Sequence, residues 1–172
     1  MFKIQPQITR DRAFHRNEDG AAAVEFALIA PILFFAILSL LEIGVISMLT
    51  TGLDGAVIEA SRRIRTGRDD AATSAATFEE QICNNLSIAL SSCPERLVVS
   101  VERFTAFSSA AAAAAAQPNG QFNKGGPSDI IIVKANYTWP LMSPFVATAY
   151  GRTGPLQVTI GSRAAFKNEP FQ

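Results

Sequence analysis

Among the residues able to do chemistry, the most telling is a carboxylate in an unusual place. The run Gly20-Ala21-Ala22-Ala23-Val24-Glu25-Phe26 sets Glu25 at the head of an apolar stretch with no charged residue from Phe26 to Leu41. A carboxylate entering a bilayer is costly unless protonated, hydrated or paired, so Glu25 either snorkels to the headgroups or meets a cation. Glu42, directly after the uncharged run, is a second such group and faces either a partner helix or the outer headgroups. Other reactive groups are few. His15 is the single histidine, and no GxSxG, P-loop or dinucleotide glycine pattern occurs. Asp69-Asp70 and Glu79-Glu80 read more simply as helix-start and solvated-face residues. Cys83 and Cys93 are the only cysteines. A disulfide between them would stabilise the fold by about 2 to 3 kcal/mol in the chain-entropy account and would favour an oxidising, extracytoplasmic side; two reduced, buried thiols are the alternative.

The elements that position these groups follow from hydrophobic patterning. Roughly 20 apolar residues, at a rise of about 1.5 Å each, span a hydrocarbon core of about 30 Å as a helix that satisfies its own backbone. A transmembrane segment is therefore expected over about residues 24–50. A cleaved secretory signal would carry its small residues after the apolar run, whereas here Gly20 to Ala23 precede it. Residues 1–20 are polar and mixed in sign, a short leader. The helical pattern continues past the membrane edge to Arg62-Arg63-Ile64-Arg65, with Gly67 as its C-terminal cap, so one long helix is expected over 21–66. Gly52, Ala56 and Ala60, like Ala23 and Ala27, fall four apart and permit close helix approach, although alanine is also simply a good helix former.

Residues 67–172 form the expected head. Asp69-Asp70 are N-cap candidates for an amphipathic helix whose apolar face carries Phe78, Ile82, Leu86 and Leu90. Leu97, Val99 and Val101 alternate with Val98, Ser100 and Glu102 in a strand pattern. Residues 108–128, with seven consecutive alanines and two Gly/Pro-rich turns, read as a long surface connection that has room for a helical start. Ile131, Val133, Ala135, Tyr137 and Trp139 alternate up to Pro140, and Leu156, Val158 and Ile160 mark a last strand. The fold class is α+β: a long N-terminal transmembrane helix extending into a small head of one amphipathic helix packed on an antiparallel sheet of about three strands. With 15 basic and 15 acidic residues and neither sign concentrated, no nucleic-acid partner is expected.

The glycine at the polar edge of the helix, with a carboxylate five residues on, resembles the site at which prepilin peptidases cut pilin precursors. The resemblance implies cleavage after Gly20, release of residues 1–20, and Ala21 as the new N-terminus, with Glu25 and Phe26 completing the processing motif. The new ammonium of Ala21, in the same chain or a neighbour, would pair with Glu25, and register selection in a filament would follow, because an out-of-step subunit leaves a buried charge unpaired. Glu25-Phe26-Ala27-Leu28-Ile29-Ala30-Pro31 followed by Leu41-Glu42-Ile43-Gly44 is similar more narrowly to the TadE-like family of the tight-adherence, or Flp, pilus system. Ser162 to Phe171 also resembles the end of TadE-like heads, while TadF and TadG branches share parts of the N-terminal pattern.

That resemblance implies a pilin-like fold and a minor pilin or pseudopilin working in pilus assembly or initiation, with helix–helix contacts through Glu25, Glu42 and Gly44. The implied partners are other pilins or pseudopilins, prepilin peptidase, inner-membrane platform proteins, an assembly ATPase and a secretin. The implied place is the bacterial inner membrane, single pass, with the N-terminus cytoplasmic and the head outside. No cofactor, metal or small-molecule substrate is expected. Cleavage would remove His15 and with it every imidazole, which leaves no Ser-His, Cys-His or histidine-metal site in the mature chain. The rival reading is a single-pass, membrane-anchored extracytoplasmic binding protein that never enters a filament, with its leader intact and an aromatic surface from Tyr137, Trp139 and Phe145.

Overall fold

The chain was analysed as a computed structural model that describes residues 20–86, 92–151 and 156–170. The leader, His15 and Leu90 lie outside the described residues. Two units are distinguished, Met1–Leu40 and Leu41–Gln172.

A helix, α1, runs from Ala21 to Arg65. It is the one described helix long and apolar enough to cross a membrane. In the first unit its large side chains, among them Phe26, Leu28, Ile32, Leu33 and Phe34, are exposed. Ser39 donates its hydroxyl to the Phe35 carbonyl at 2.9 Å, so this polar group is satisfied within the apolar run. The helix ends as its sequence requires. Gly67 adopts a positive φ of 64°, and the Gly67 and Arg68 N–H groups return to the Ile64 and Arg63 carbonyls, the paired bonds of a Schellman cap. Arg62, Arg63 and Arg65 in the last turn complement the dipole.

The second unit is the α+β head. Three antiparallel strands, β1 (Leu97–Phe104), β2 (Ile130–Pro140) and β3 (Gln157–Lys167), lie in the order β1-β2-β3. The register aligns Val99 with Ala135, Val101 with Val133, and Tyr137 with Ile160, so the alternating apolar residues share one face. Against that face pack Ile46, Leu49, Leu53, Ala56, Val57, Ala60 and Ile64 of α1, with Phe78 and Ile82 of α2 (Ala75–Asn85), in one core. Ala56 and Ala60 are buried there, so these small residues serve the approach of α1 to its own head. Ile46 and Leu49, within the stretch expected to lie in the membrane, also belong to this core.

Several local expectations change. The N-cap of α2 is Ser74, which forms a capping box with Thr77, and not Asp69 or Asp70. Ala71 and Ala72 are buried first, so the chain must turn before the helix can start, and Asp70 instead pairs with Arg63 at 3.3 Å and Arg68 at 2.9 Å. Glu79 is half-buried and not fully solvated: it accepts the Val99 N–H at 3.4 Å, and burial pushes its pKa up against the opposing pull of that bond. The head also holds more than one helix, adding α3 (Cys93–Arg96), α4 (Phe107–Ala114) and α5 (Pro144–Ala149). Leu156 lies just ahead of β3 and is exposed.

The 108–128 connection does structural work. Helix α4 lays Ala110 against Ile130 and Ile132 on the outer face of the sheet, which explains why β2 is buried on both sides. Beyond it, Gly120, Gln121 and Asn123 exchange backbone hydrogen bonds with Val99 and Val101, covering the free edge of β1, and Phe122 packs near Phe78 with ring centroids 6.2 Å apart. Lys134 is 2% exposed; its ammonium meets Glu102 at 2.6 Å and donates to the Ala113 carbonyl at 3.2 Å near the end of α4. The turn into β2 is held by Asp129, whose carboxylate accepts the Gly126 N–H at 2.6 Å and pairs with Arg103 at 2.8 Å. Asn168 closes the same turn through the Lys124, Gly126 and Asp129 carbonyls.

Two predictions follow from these polar ties. Replacing Lys134 with alanine takes the cation from Glu102, leaving it the Ser100 hydroxyl as donor, and is expected to cost about 3 kcal/mol in urea unfolding, whereas Lys134→Met combined with Glu102→Leu recovers most of the loss. The Gly126 N–H, followed by Arg103, holds the Asp129 pKa below the usual carboxylate range. A depressed folded value means stability that is present above the unfolded pKa and lost as pH falls through the folded one. Melting temperatures of the wild type should therefore drop more steeply than those of Asp129→Asn on acidification below about pH 4; parallel pH profiles would refute this.

Candidate functional site

The first part of the site is the entry to α1. Gly20 sits in an exposed turn, and its carbonyl accepts the Val24 N–H at 3.1 Å, which makes it the N-cap residue of the helix. A Cβ built on Gly20 would meet nothing within 4 Å. Ala21, Glu25 and Phe26 are all exposed. The peptide bond after Gly20 thus stands at the helix start, its carbonyl taking the first bond of the helix while the Ala21 N–H is one of the donors that a helix start leaves without an intrahelical acceptor. Glu25 stands in the second turn, with no acidic residue in the first.

The second part lies in the head unit. Glu42 is 5% exposed, and its carboxylate accepts the Met142 N–H at 2.5 Å and the Ser143 N–H at 3.1 Å. Both oxygens are thereby used within the chain. The sequence offered a partner helix or the headgroups as the surroundings of Glu42; the structure instead ties it to the connection that leads into α5, where the Ser143 hydroxyl accepts the Val146 N–H as the N-cap. A carboxylate is well suited to this place because each oxygen can take a backbone donor that would otherwise be buried unsatisfied. No sequence signal could have named Met142 and Ser143, since the donors are main-chain groups 100 residues away. Gly44, two residues beyond Glu42, is exposed with open space where a Cβ would stand.

Cys83 and Cys93 are joined by a disulfide of 1.98 Å. It links the end of α2 to the start of α3, and Cys93 is buried in the core. Among the described residues no group of three or more His, Cys, Asp or Glu side chains converges as a metal site. One cleft of the head, about 400 Å³, is lined by Ile58, Ser61, Arg62, Arg65, Phe166 and Glu169 among others. It contains no arrangement of nucleophile and base, and Arg65 is engaged with Glu169 at 3.4 Å.

A family profile described as TadE-like protein matches residues 20–62. The match opens on Gly20 and takes in Glu25, Phe26, Glu42 and Gly44. It covers about a quarter of the chain and supports a likeness of that stretch to the TadE-like, Tad pilus-associated family. No curated protein and no solved structure matches the chain.

The Glu42 clasp carries a direct expectation. Glu42→Ala leaves two N–H groups without their acceptor and should lower stability by about 2 kcal/mol or more, while Glu42→Gln, which keeps one acceptor oxygen, loses less. Hydrogen exchange at the Met142 and Ser143 amides should accelerate in both variants ahead of global unfolding. Unchanged protection at these two amides would show that the carboxylate does not hold them.

Proposed function

We propose that this chain is a minor pilin or pseudopilin that takes part in assembling or initiating a Tad/Flp-type pilus used for surface adherence. The observation that carries the reading is the coincidence at Gly20: an exposed glycine caps the apolar helix, a carboxylate follows five residues later, and the TadE-like match begins at the same residue. A prepilin peptidase cutting after Gly20 creates an ammonium on Ala21. That cation neutralises Glu25 in the same or an adjacent subunit, so the correct axial stagger is the one in which the carboxylate entering the apolar layer is paired.

The exposed apolar surface of α1 between Val24 and Leu41 suits two successive environments, the lipid of the inner membrane and the helices of other pilins or pseudopilins. Gly44 gives a neighbouring helix room for close approach. The disulfide supports an extracytoplasmic head, with the N-terminus left on the cytoplasmic side within reach of the peptidase and of platform proteins.

N-terminal sequencing of the membrane-extracted protein tests the premise. Processing yields a chain that starts at Ala21, and Gly20→Val, by placing a branched side chain beside the scissile bond, leaves the precursor uncut. Electron microscopy of cells carrying Gly20→Val or Glu25→Gln should then show fewer pili. A mature protein that still carries its first twenty residues would leave a tethered binding protein as the function.

A further inference from the structure

Most of the large exposed apolar side chains of the head fall in a single connection. Among the described residues outside α1, the large exposed hydrophobics are Val98, Phe107, Met142, Phe145, Tyr150 and Leu156, and the last four belong to the connection between β2 and β3. Met142 is 84% and Phe145 66% exposed. Residues 141–151 carry no charge. In a head otherwise able to bury its large side chains, several exposed ones in one connection mark a contact.

Hydrogen bonds determine where this surface is held. The Met142 and Ser143 N–H groups end on Glu42, and the Leu141 N–H donates to the Leu156 carbonyl at 2.8 Å, which keeps Leu156 beside the clasp. Glu42 is the residue at which the uncharged run beginning at Phe26 stops. A helix leaves hydrocarbon where its charges resume. Beyond Glu42 the two sides of α1 differ: Ile46 and Leu49 are buried in the head, while Ile43, Val45 and Met48 stay exposed. Apolar exposure thus continues from the helix onto the stretch that Glu42 holds.

We infer that Met142, Phe145, Tyr150 and Leu156 form a membrane-docking surface that rests in the headgroup zone of the bilayer entered by α1. The inference rests on α1 being a membrane anchor. Its occupant is lipid. Tyrosine and other amphipathic or soft apolar side chains suit the interface, where one end is dry and the other wet, and residues 141–151, which hold three of the four, offer a charged protein partner no group to pair with. Docking keeps the connection between β2 and β3 against the bilayer until the subunit is extracted.

Depth-dependent fluorescence quenching tests this on the full chain reconstituted in phosphatidylcholine–phosphatidylglycerol vesicles with brominated acyl chains. With Trp139, the one tryptophan, replaced by phenylalanine, single reporters are placed by Leu33→Trp on α1, Phe145→Trp on the surface and Phe107→Trp on α4. Strong quenching at 33 and 145, the latter most by bromines near the headgroups, with none at 107, is the expected result. Quenching at 33 without quenching at 145 overturns docking and leaves the anchor intact. Absence of quenching at 33 overturns the anchor and the docking together. Emission at 145 that shifts only as the protein-to-lipid ratio rises identifies a second copy of the chain as the occupant and overturns the lipid assignment.

Discussion

Burial of one face of α1 against the inner face of the three-stranded sheet is the interaction on which the head depends. Ile46, Leu49, Leu53, Val57 and Ile64 each remove a large side chain from water there, worth about 1.5 to 3 kcal/mol apiece. A three-stranded sheet with one apolar face has no independent core until something covers that face. The helix supplies the cover, and α2 fills the remainder with Phe78 and Ile82. Along its second half the helix buries this one face while Asp54, Ile58 and Arg62 on the other side stay exposed.

Polar groups in this arrangement are placed where they specify geometry. Lys134 is buried by the same helix that supplies one of its partners, the Ala113 carbonyl, so α4 can seat on the sheet in few ways. Asp129 and Asn168 hold one tight turn between them, and the Glu169 N–H reaches the Arg65 carbonyl at 2.9 Å, joining the end of β3 to the end of α1. These bonds are individually modest. Together they select a single packing from the several that a small apolar core would tolerate.

The disulfide and the Glu42 clasp divide the remaining task. Cys83–Cys93 confines the segment between α2 and β1, and Glu42 confines the segment between β2 and β3. Both segments are connections that a short sheet cannot hold by strand pairing alone. The entry of α1 differs from them: Gly20 and the residues that follow it are exposed.

Legibility in the sequence followed the range of the forces involved. The long helix, its Gly67 cap, the three strands and the Gly20–Glu25 spacing are all set by local chemistry or by strict periodicity, and they could be read directly. Ser74 was passed over for Asp69-Asp70 because the burial of Ala71 and Ala72 delays α2, and burial is a tertiary fact. Residues 108–128 looked like an exposed connection because alanine, glycine and proline carry little hydrophobic pattern, yet β2 needed a cover for its second face and β1 a partner for its edge. Glu42 was visible as an oddly placed carboxylate, but its partners are two main-chain N–H groups brought to it by the fold. Residue type and spacing determine which groups can act, while only the closed chain decides which of them meet, because hydrogen bonds between distant segments leave no mark on the letters that form them.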